Sequence, residues 1–380
     1  MPRIRRISSK ASRPAPGLPA RAIVARMVSI AAIALLASLG PLRPTLAMPL
    51  PAPQPSGGAA SMDSGGGAAT VRLAVARRID IDLQIGGEDG LPATLTLPRG
   101  AGPFPAVVLV HGSGAHDRDE SIGVNAPFRD IAHGLAERGI AVLRYEKRTR
   151  RHPELLSDGQ LTIDRETTHD ALLAIARLRQ LRAIHPGRIF VLGHSQGGML
   201  APRIAARAPD VAGVILLAAP ARPLLDLLVE QHRRIDLLND GVINDAEQVA
   251  LRRLVEGVHA IRAGHEPPAS RLPMGLPARY WRSVDAVDPV AEAASIPQPM
   301  LLLQGGRDLH VVSADWLRWR RAFADTPRVT FAYYDTLNHL GIAERGPPST
   351  RSYQVPGRVS ADLLEDVALW IDLLRGVRPD

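Results

Sequence analysis

The earliest regular pattern in the chain is a strict alternation of apolar and polar positions. Two alternating segments flank a glycine-rich stretch at residues 86–90. Their apolar positions are Ile79, Ile81, Leu83 and Ile85 in the first segment and Leu91, Ala93, Leu95 and Leu97 in the second. Period-two alternation around such a turn is typical of a β-hairpin, so we predict an antiparallel hairpin with one buried face.

Short apolar runs of a different kind follow the hairpin. They are Pro105–Val110, Ile140–Tyr145, Arg188–Leu192, Gly213–Leu217 and Pro299–Leu303. Nearly continuous apolar runs belong to strands that are buried on both faces, as in a parallel sheet. Helical patterns lie between most of them, at about residues 126–138, 164–182, 196–208, 314–325 and 360–375. Strands that alternate with helices predict an α/β fold with a mostly parallel sheet, entered through the antiparallel hairpin.

One long interval lacks strand patterns. Residues 221–295 have helical patterns throughout, with a leucine-rich stretch near the start. We predict that they form a helical cap, inserted before the strand at Met300–Leu303 and controlling access of substrate. The alternative is a set of additional core helices with no gating role.

The first 47 residues have the composition of an export signal. They contain eight basic residues and no acidic one, and a run of thirteen mostly apolar residues at 27–39 lies before small residues. Such a run spans about 20 Å as a helix, short of the roughly 30 Å of a bilayer core. We predict a signal peptide over 1–47, a flexible Pro/Gly/Ala linker over 48–70, and an exported mature chain (periplasmic or secreted) without a stable membrane span. Translation from Met27 and an uncleaved membrane anchor are the alternatives.

The net charge of +8 is concentrated in that N-terminal segment. Without its eight basic residues the chain holds 38 basic and 38 acidic residues. A nucleic-acid-binding protein carries basic charge on its folded surface, so this balance argues against a nucleic-acid partner. The chain has no cysteine, which excludes disulfides, thiolate metal sites and a cysteine nucleophile.

The strongest chemical signal is the motif Gly-His-Ser-Gln-Gly at residues 193–197, between a predicted strand and a predicted helix. A serine on such a tight turn presents its hydroxyl above the sheet, because the two glycines allow neighbouring backbone to approach. The start of the following helix adds positive potential where an oxyanion would form. We therefore predict that Ser195 is a nucleophile.

A serine nucleophile needs a base, and the base needs an acid that orients it. Asp308 follows the predicted strand Met300–Leu303, and His339 follows a further predicted strand, Val329–Tyr334. We assign them as that acid and that base. His310 lies too close to Asp308 in sequence to face it easily, and Asp335 lies only four residues before His339.

Stabilisation of a tetrahedral oxyanion requires two backbone N–H donors. We predict that Gln196, directly after the nucleophile, supplies one of them and that Ser113, in the loop after the first core strand, supplies the other. Gly114 in the same loop is the alternative to Ser113 as donor. Gly114 and His194, beside the nucleophile, are also predicted to contact the substrate. Packing at the turn is an alternative role for His194.

Over about residues 71–376 the chain resembles the α/β-hydrolase superfamily, in its dienelactone hydrolase and serine aminopeptidase-like (esterase-like) branch. Four motifs carry the resemblance: His111–Gly114, Gly193–Gly197, Gly305–Asp308 and Asn338–His339. The chain order serine, aspartate, histidine is the one that α/β-hydrolases use. The resemblance implies an α/β-hydrolase fold and hydrolysis of an acyl bond by a serine, without a metal or other cofactor.

We therefore predict an exported serine hydrolase that cleaves small-molecule carboxylic esters of small or medium acyl groups through an acyl-enzyme. An exopeptidase or amidase with the same triad, and a non-catalytic binding protein on a hydrolase scaffold, are the alternatives.

A cluster of potential metal ligands lies after the first core strand. Its members are His116, Asp117, Asp119 and Glu120. We interpret the cluster as a polar loop whose carboxylates pair with Arg144, Lys147 or Arg148, because the adjacent Arg118 opposes cation binding. Recognition of a substrate amine by one of these acids is the alternative.

Overall fold

The computed structural model describes residues 78–87, 90–346 and 349–374. The predicted signal peptide (1–47), the predicted linker (48–70) and the first residues of the predicted hydrolase domain (71–77) lie outside the described residues. None of the helices within the described ranges has both the length and the apolar character that crossing a bilayer requires.

The described residues contain one sheet of eight strands. The strands are β1 (Arg78–Ile85), β2 (Leu91–Pro98), β3 (Phe104–Val110), β4 (Ala141–Tyr145), β5 (Ile184–His194), β6 (Gly213–Leu217), β7 (Met300–Gly305) and β8 (Val329–Tyr334). They lie in the order β1-β2-β4-β3-β5-β6-β7-β8. β1 pairs with β2 and β2 with β4 in antiparallel fashion, and all other pairs are parallel. This confirms the predicted mostly parallel sheet entered through an antiparallel hairpin.

The hairpin differs from the prediction in its burial. Ile79 is 53% exposed and Ile81 is 43% exposed, whereas Leu91, Ala93 and Leu95 on β2 are buried. The expectation of a common buried face is therefore wrong for the outer half of β1. The reason is position: β1 is the edge strand of the sheet, and β2 separates it from the core strands.

Helices cover both faces of the sheet in the described part of the chain. The α-helices are α1 (Pro127–Ala136), α2 (Arg148–Arg151), α3 (His169–Arg179), α4 (Gln196–Arg207), α5 (Leu224–Asp240), α6 (Asp245–Arg262), α7 (Ala278–Asp285), α8 (Pro289–Ala294), α9 (Ser313–Phe323) and α10 (Ala361–Leu373). One π-helical turn, Asp164–Thr168, leads into α3. Residues of α1 and α10 pack on one face of the sheet, and residues of α3, α4 and α9 pack on the other. The sheet is thus buried on both sides, as the continuous apolar runs predict.

The interval 221–295 is helical and lies between β6 and β7, as predicted. Its helices α7 and α8 pack against the main domain: Tyr280 and Trp281 on α7 are each 1% exposed. Glu292 on α8 forms an ion pair with Arg203 on α4. The interval therefore includes helices that belong to the core, and the role of α5 depends on the cavity described below.

Candidate active site

Ser195 lies on the sharp turn between β5 and α4. Its backbone has φ 54° and ψ −121°, a strained conformation for a residue with a side chain. The flanking glycines permit this turn. A Cβ at Gly193 would lie 2.1 Å from the carbonyl oxygen of Gly197, and a Cβ at Gly197 would lie 2.1 Å from the carbonyl oxygen of Val110. The motif thus has the strand–turn–helix context in which a serine hydroxyl is exposed above the sheet.

His339 and Asp308 form a hydrogen-bonded pair. Nδ1 of His339 lies 2.8 Å from Oδ2 of Asp308, although 31 residues separate them. The other carboxylate oxygen accepts the backbone N–H groups of His310 and Val311 at 2.8 and 2.9 Å. Burial alone raises the pKa of the Asp308 carboxyl, but His339 and the backbone donors outweigh burial and lower the pKa overall. An ionised carboxylate accepts hydrogen bonds and cannot donate them, so the ring proton of His339 is held on Nδ1. Nε2 is therefore free to accept a proton.

Ser195 and His339 line the same cavity, which has a volume of about 170 Å³. Ser113 and His194 line it as well. The cap contributes an apolar wall from α5 and the segment after α6, consisting of Leu224, Leu228, Ile235 and Met274. Residues of α5 therefore line the cavity, and the cap role of residues 221–295, including its control of substrate access, stays a prediction.

The two predicted oxyanion donors belong to two segments near Ser195. Gln196 is the first residue of α4, so its N–H is one of the four that have no acceptor within the helix. Ser113 belongs to the loop after β3 and lines the cavity. Gly114, which was predicted to contact substrate, adopts φ +109° in this loop and is not among the residues that line the cavity.

The sequence model of the alpha/beta hydrolase family matches residues 107–374, which is more than half of the chain. The chain belongs to the alpha/beta hydrolase family. Esterase EstD of Thermotoga maritima is 38% identical to it over 283 residues, covering 74% of this chain and 66% of EstD. The chain thus spans just under two thirds of that relative's length.

Two solved structures are also similar to this alpha/beta hydrolase. Est1E of Butyrivibrio proteoclasticus, determined with ferulic acid bound, has a TM-score of 0.50 at 16% identity. The aligned part is 77% of this chain and 99% of the Est1E chain. The Pyrococcus furiosus esterase PF2001 has a TM-score of 0.48 at 16% identity, and the aligned part is 79% of this chain and 92% of the PF2001 chain. At this level of identity the likeness to Est1E shows the shared fold alone.

The loop after β3 of this alpha/beta hydrolase is held by two buried charges, whose contacts with the loop backbone sequence reasoning did not predict. Oε1 of Glu120 accepts the N–H of Gly112 at 2.6 Å, and Nζ of Lys147 donates to the carbonyl oxygen of Gly112 at 2.7 Å. Lys147 in turn lies 3.4 Å from Glu166, whose other oxygen accepts the hydroxyl of Tyr280. The spacing of these residues gives no signal for the contacts, because the paired elements come together only in the folded sheet.

His194 lines the cavity and is also bonded to the protein at the turn, so its predicted contact with substrate stays a prediction. Its Nδ1 lies 2.9 Å from Oε2 of Glu120, and its Nε2 lies 2.9 Å from the carbonyl oxygen of His339. Burial lowers the pKa of His194, but Glu120 and the carbonyl outweigh it and the net shift is upward. Burial has the opposite effect on Glu120 and raises its pKa, but the neighbouring imidazoles outweigh burial and lower the pKa to about 2. The two residues form a buried ion pair, so both ring nitrogens of His194 are engaged by the protein.

The remaining acids of the loop behave largely as a polar loop. Asp119 accepts from Arg144 at 2.8 Å, which is a pairing that the sequence interpretation proposed. Asp117 accepts the N–H groups of Asp119 and Ser121. Glu120 differs, because it pairs with His194 rather than with an arginine or lysine. Within the ranges that the structure describes, no three histidine or acidic side chains converge as metal ligands.

The buried His111 should make the stability of the protein sensitive to acid. It is 1% exposed, and burial, with the nearby His116 and Lys147, lowers its pKa to about 3. Between pH 6.5 and about 3 the unfolded chain therefore binds a proton that the folded chain does not. We expect this histidine alone to lower the free energy of unfolding by up to about 1.4 kcal/mol per pH unit on acidification.

Urea unfolding of wild type and His111→Gln between pH 6.5 and 4.5 measures this effect. The variant should lose stability less steeply than wild type as the pH falls. The same exchange at His185, an exposed residue, is the control and should keep the wild-type slope. Parallel curves for wild type and His111→Gln would contradict the expectation.

Proposed function

We propose that this alpha/beta hydrolase is a serine esterase that cleaves carboxylic esters through an acyl-enzyme intermediate. The observation that carries the proposal is the arrangement of three residues. Ser195 occupies the strained turn at the cavity, and His339 lines the same cavity while its Nδ1 is bonded to Asp308 at 2.8 Å. The 38% identity to a relative named esterase EstD supports the choice of ester substrates.

The mechanism follows from the roles that these groups can perform. Oγ of Ser195 attacks the ester carbonyl while Nε2 of His339 takes its proton, and the Asp308 carboxylate stabilises the resulting imidazolium. The N–H groups of Ser113 and Gln196 stabilise the tetrahedral oxyanion. The alcohol leaves with the proton from His339, and a water activated by the same imidazole then releases the acid from the acyl-enzyme.

The substrate is a small-molecule ester with a small or medium acyl group. The apolar wall that the cap contributes suits a hydrocarbon chain, and the cavity of about 170 Å³ limits its length. Amine recognition, which a peptidase would use, is less well supported. Asp119 is engaged by Arg144 and Glu120 by His194, so neither carboxylate is left for a substrate ammonium.

Export is a further part of the proposal. The eight basic residues followed by a short apolar run support a cleaved signal and a periplasmic or secreted enzyme. Mass spectrometry of the N-terminus of the protein recovered outside the cytoplasm tests this part directly.

The esterase proposal is tested by two assays on wild-type protein. A series of p-nitrophenyl esters from acetate to laurate should turn over, with a preference for the shorter chains, and aminoacyl p-nitroanilides should react far more slowly. A fluorophosphonate should label Ser195, identified by peptide mass spectrometry, and should not label Ser113, the other serine lining the cavity. Faster anilide cleavage would favour a peptidase, and the absence of both turnover and label would favour a binding protein.

A further inference from the structure

Lys147 is an unusual residue in this chain. Of the 46 basic residues, only Lys10 and Lys147 are lysines. Lys147 lies just beyond the end of β4 and is 1% exposed. Burial of an ammonium group is costly unless partners compensate for the lost water. Its partners are the carbonyl oxygen of Gly112 at 2.7 Å and the carboxylate of Glu166 at 3.4 Å.

The contact with Gly112 controls the orientation of a neighbouring N–H group. The carbonyl of Gly112 and the N–H of Ser113 belong to one planar trans peptide, so they point in opposite directions. An ammonium that fixes the carbonyl on one side therefore directs the Ser113 N–H away from Lys147. A positive charge on the carbonyl oxygen also polarises the peptide and makes its N–H a stronger donor.

This peptide lies directly beside the proposed nucleophile. A Cβ added to Gly112 would lie 3.2 Å from the Cβ of Ser195, and Ser113 lines the cavity with Ser195. Close backbone approach at Gly112 thus puts the Gly112–Ser113 peptide beside Ser195, in the region where an oxyanion donor is required.

A second buried charge holds Gly112 from the other side. Oε1 of Glu120 accepts the N–H of Gly112 at 2.6 Å. Glu120 itself has φ +50°, a backbone conformation that is costly for any residue other than glycine. Its other oxygen pairs with His194, which donates to the backbone carbonyl of His339 at 2.9 Å. Both peptide groups of Gly112 are therefore bonded to buried charges of opposite sign.

The Lys147 network extends to the second predicted oxyanion donor. Glu166 accepts the hydroxyl of Tyr280 at 2.9 Å, and the same hydroxyl accepts the side-chain amide of Gln196 at 3.1 Å. All four of these residues are buried, so these contacts are shielded from water. One continuous buried network therefore connects the residues that carry the two proposed donors.

We propose that Lys147 is a positioning residue of the oxyanion hole, which fixes and polarises the Gly112–Ser113 peptide while Glu120 holds Gly112 from the opposite side. This inference rests on the proposed serine esterase function. In an alternative that the test must separate, the Lys147–Glu166 pair contributes to folding stability alone.

The decisive variant is Lys147→Met/Glu166→Gln, which removes both charges together and leaves no unpaired buried ion. We expect kcat for p-nitrophenyl acetate to fall roughly 10- to 100-fold with KM changed less than about threefold, because removing a whole oxyanion donor costs about 10²–10³ in kcat. A trifluoromethyl ketone, whose hemiketal oxyanion occupies the same hole, should lose affinity by a similar factor. Circular dichroism confirms folding at the assay temperature.

A matched control pair is formed by Arg148, which directly follows Lys147 in sequence, and Asp170. Arg148→Met/Asp170→Asn removes another ion pair whose acid is fully buried, and neither residue belongs to the proposed machinery. The control should keep the wild-type kcat even where it loses stability. Equal kcat values for wild type and Lys147→Met/Glu166→Gln, or an equal fall in the control, would overturn the inference.

Chemical rescue provides a second test that does not depend on the double variant. The chain has no cysteine, so a Lys147→Cys variant carries a single thiol that can be alkylated in the unfolded state before refolding. Alkylation with 2-bromoethylamine restores an ammonium at the length of lysine and should restore kcat, whereas alkylation with bromoethane should not. Equal rates for the two adducts would overturn the role of the charge. Failure of the esterase proposal is distinguishable, because wild type itself would then show neither turnover nor fluorophosphonate labelling.

Discussion

Ser195→Ala is expected to lower kcat for p-nitrophenyl esters by roughly 10⁵- to 10⁶-fold, the scale on which loss of a serine nucleophile acts in serine hydrolases. Without Oγ no acyl-enzyme forms, and the base has no hydroxyl to deprotonate. Some acceleration over water should remain, since the N–H groups of Ser113 and Gln196 are backbone groups that the substitution leaves in place. KM should change little, because the apolar cavity wall comes from the cap.

The control for this prediction is Ser113→Ala. It removes the hydroxyl of the other serine in the cavity and keeps the backbone N–H, so its kcat should stay within about threefold of wild type if that N–H alone contributes. Thermal unfolding of Ser195→Ala should resemble wild type, because alanine and serine experience the same strain at φ 54°. Turnover by Ser195→Ala above about 1% of wild type would contradict the assignment of the nucleophile.

The sequence was sufficient to predict the parts of the fold that depend on local pattern. Apolar runs located the parallel strands because those strands are buried on both faces. Burial on both faces requires consecutive residues to be apolar, which the sequence shows directly. The exposure of Ile79 and Ile81 was not predictable in this way. An alternating pattern gives the face on which a residue lies, but only the order of the strands determines whether that face is covered.

The pairing of Asp308 with His339 was predictable for a topological reason. Both residues follow parallel strands, and the carboxyl ends of parallel strands meet at one edge of the sheet. The contacts of Glu120 with His194 and of Tyr280 with Glu166 join residues 74 and 114 positions apart through loops and a cap helix. No periodicity encodes such contacts. The rarity of lysine in an arginine-rich chain, which the sequence analysis did not use, is a signal that singles out Lys147.

Asp308→Asn is expected to lower kcat by about 10⁴-fold, the effect of the equivalent substitution in a serine hydrolase triad. The amide oxygen of asparagine can still accept the N–H groups of His310 and Val311, so the loop should keep its conformation. The amide nitrogen, however, would donate to Nδ1 of His339 and shift the proton to Nε2. With that nitrogen protonated, His339 cannot accept the proton of Ser195.

The matched control is Asp335→Asn, which changes the other acid that the sequence places near His339. Asp335 is exposed, and its replacement should leave kcat within about threefold of wild type, as surface substitutions away from a site usually do. Steady-state kinetics at pH 8, together with thermal unfolding of both variants, separates loss of catalysis from loss of folding. If Asp335→Asn were the inactive variant, the acid of the triad would have to be reassigned. If both variants kept wild-type rates, His339 would act without an orienting carboxylate, and its bond to Asp308 at 2.8 Å would serve only to hold the loop.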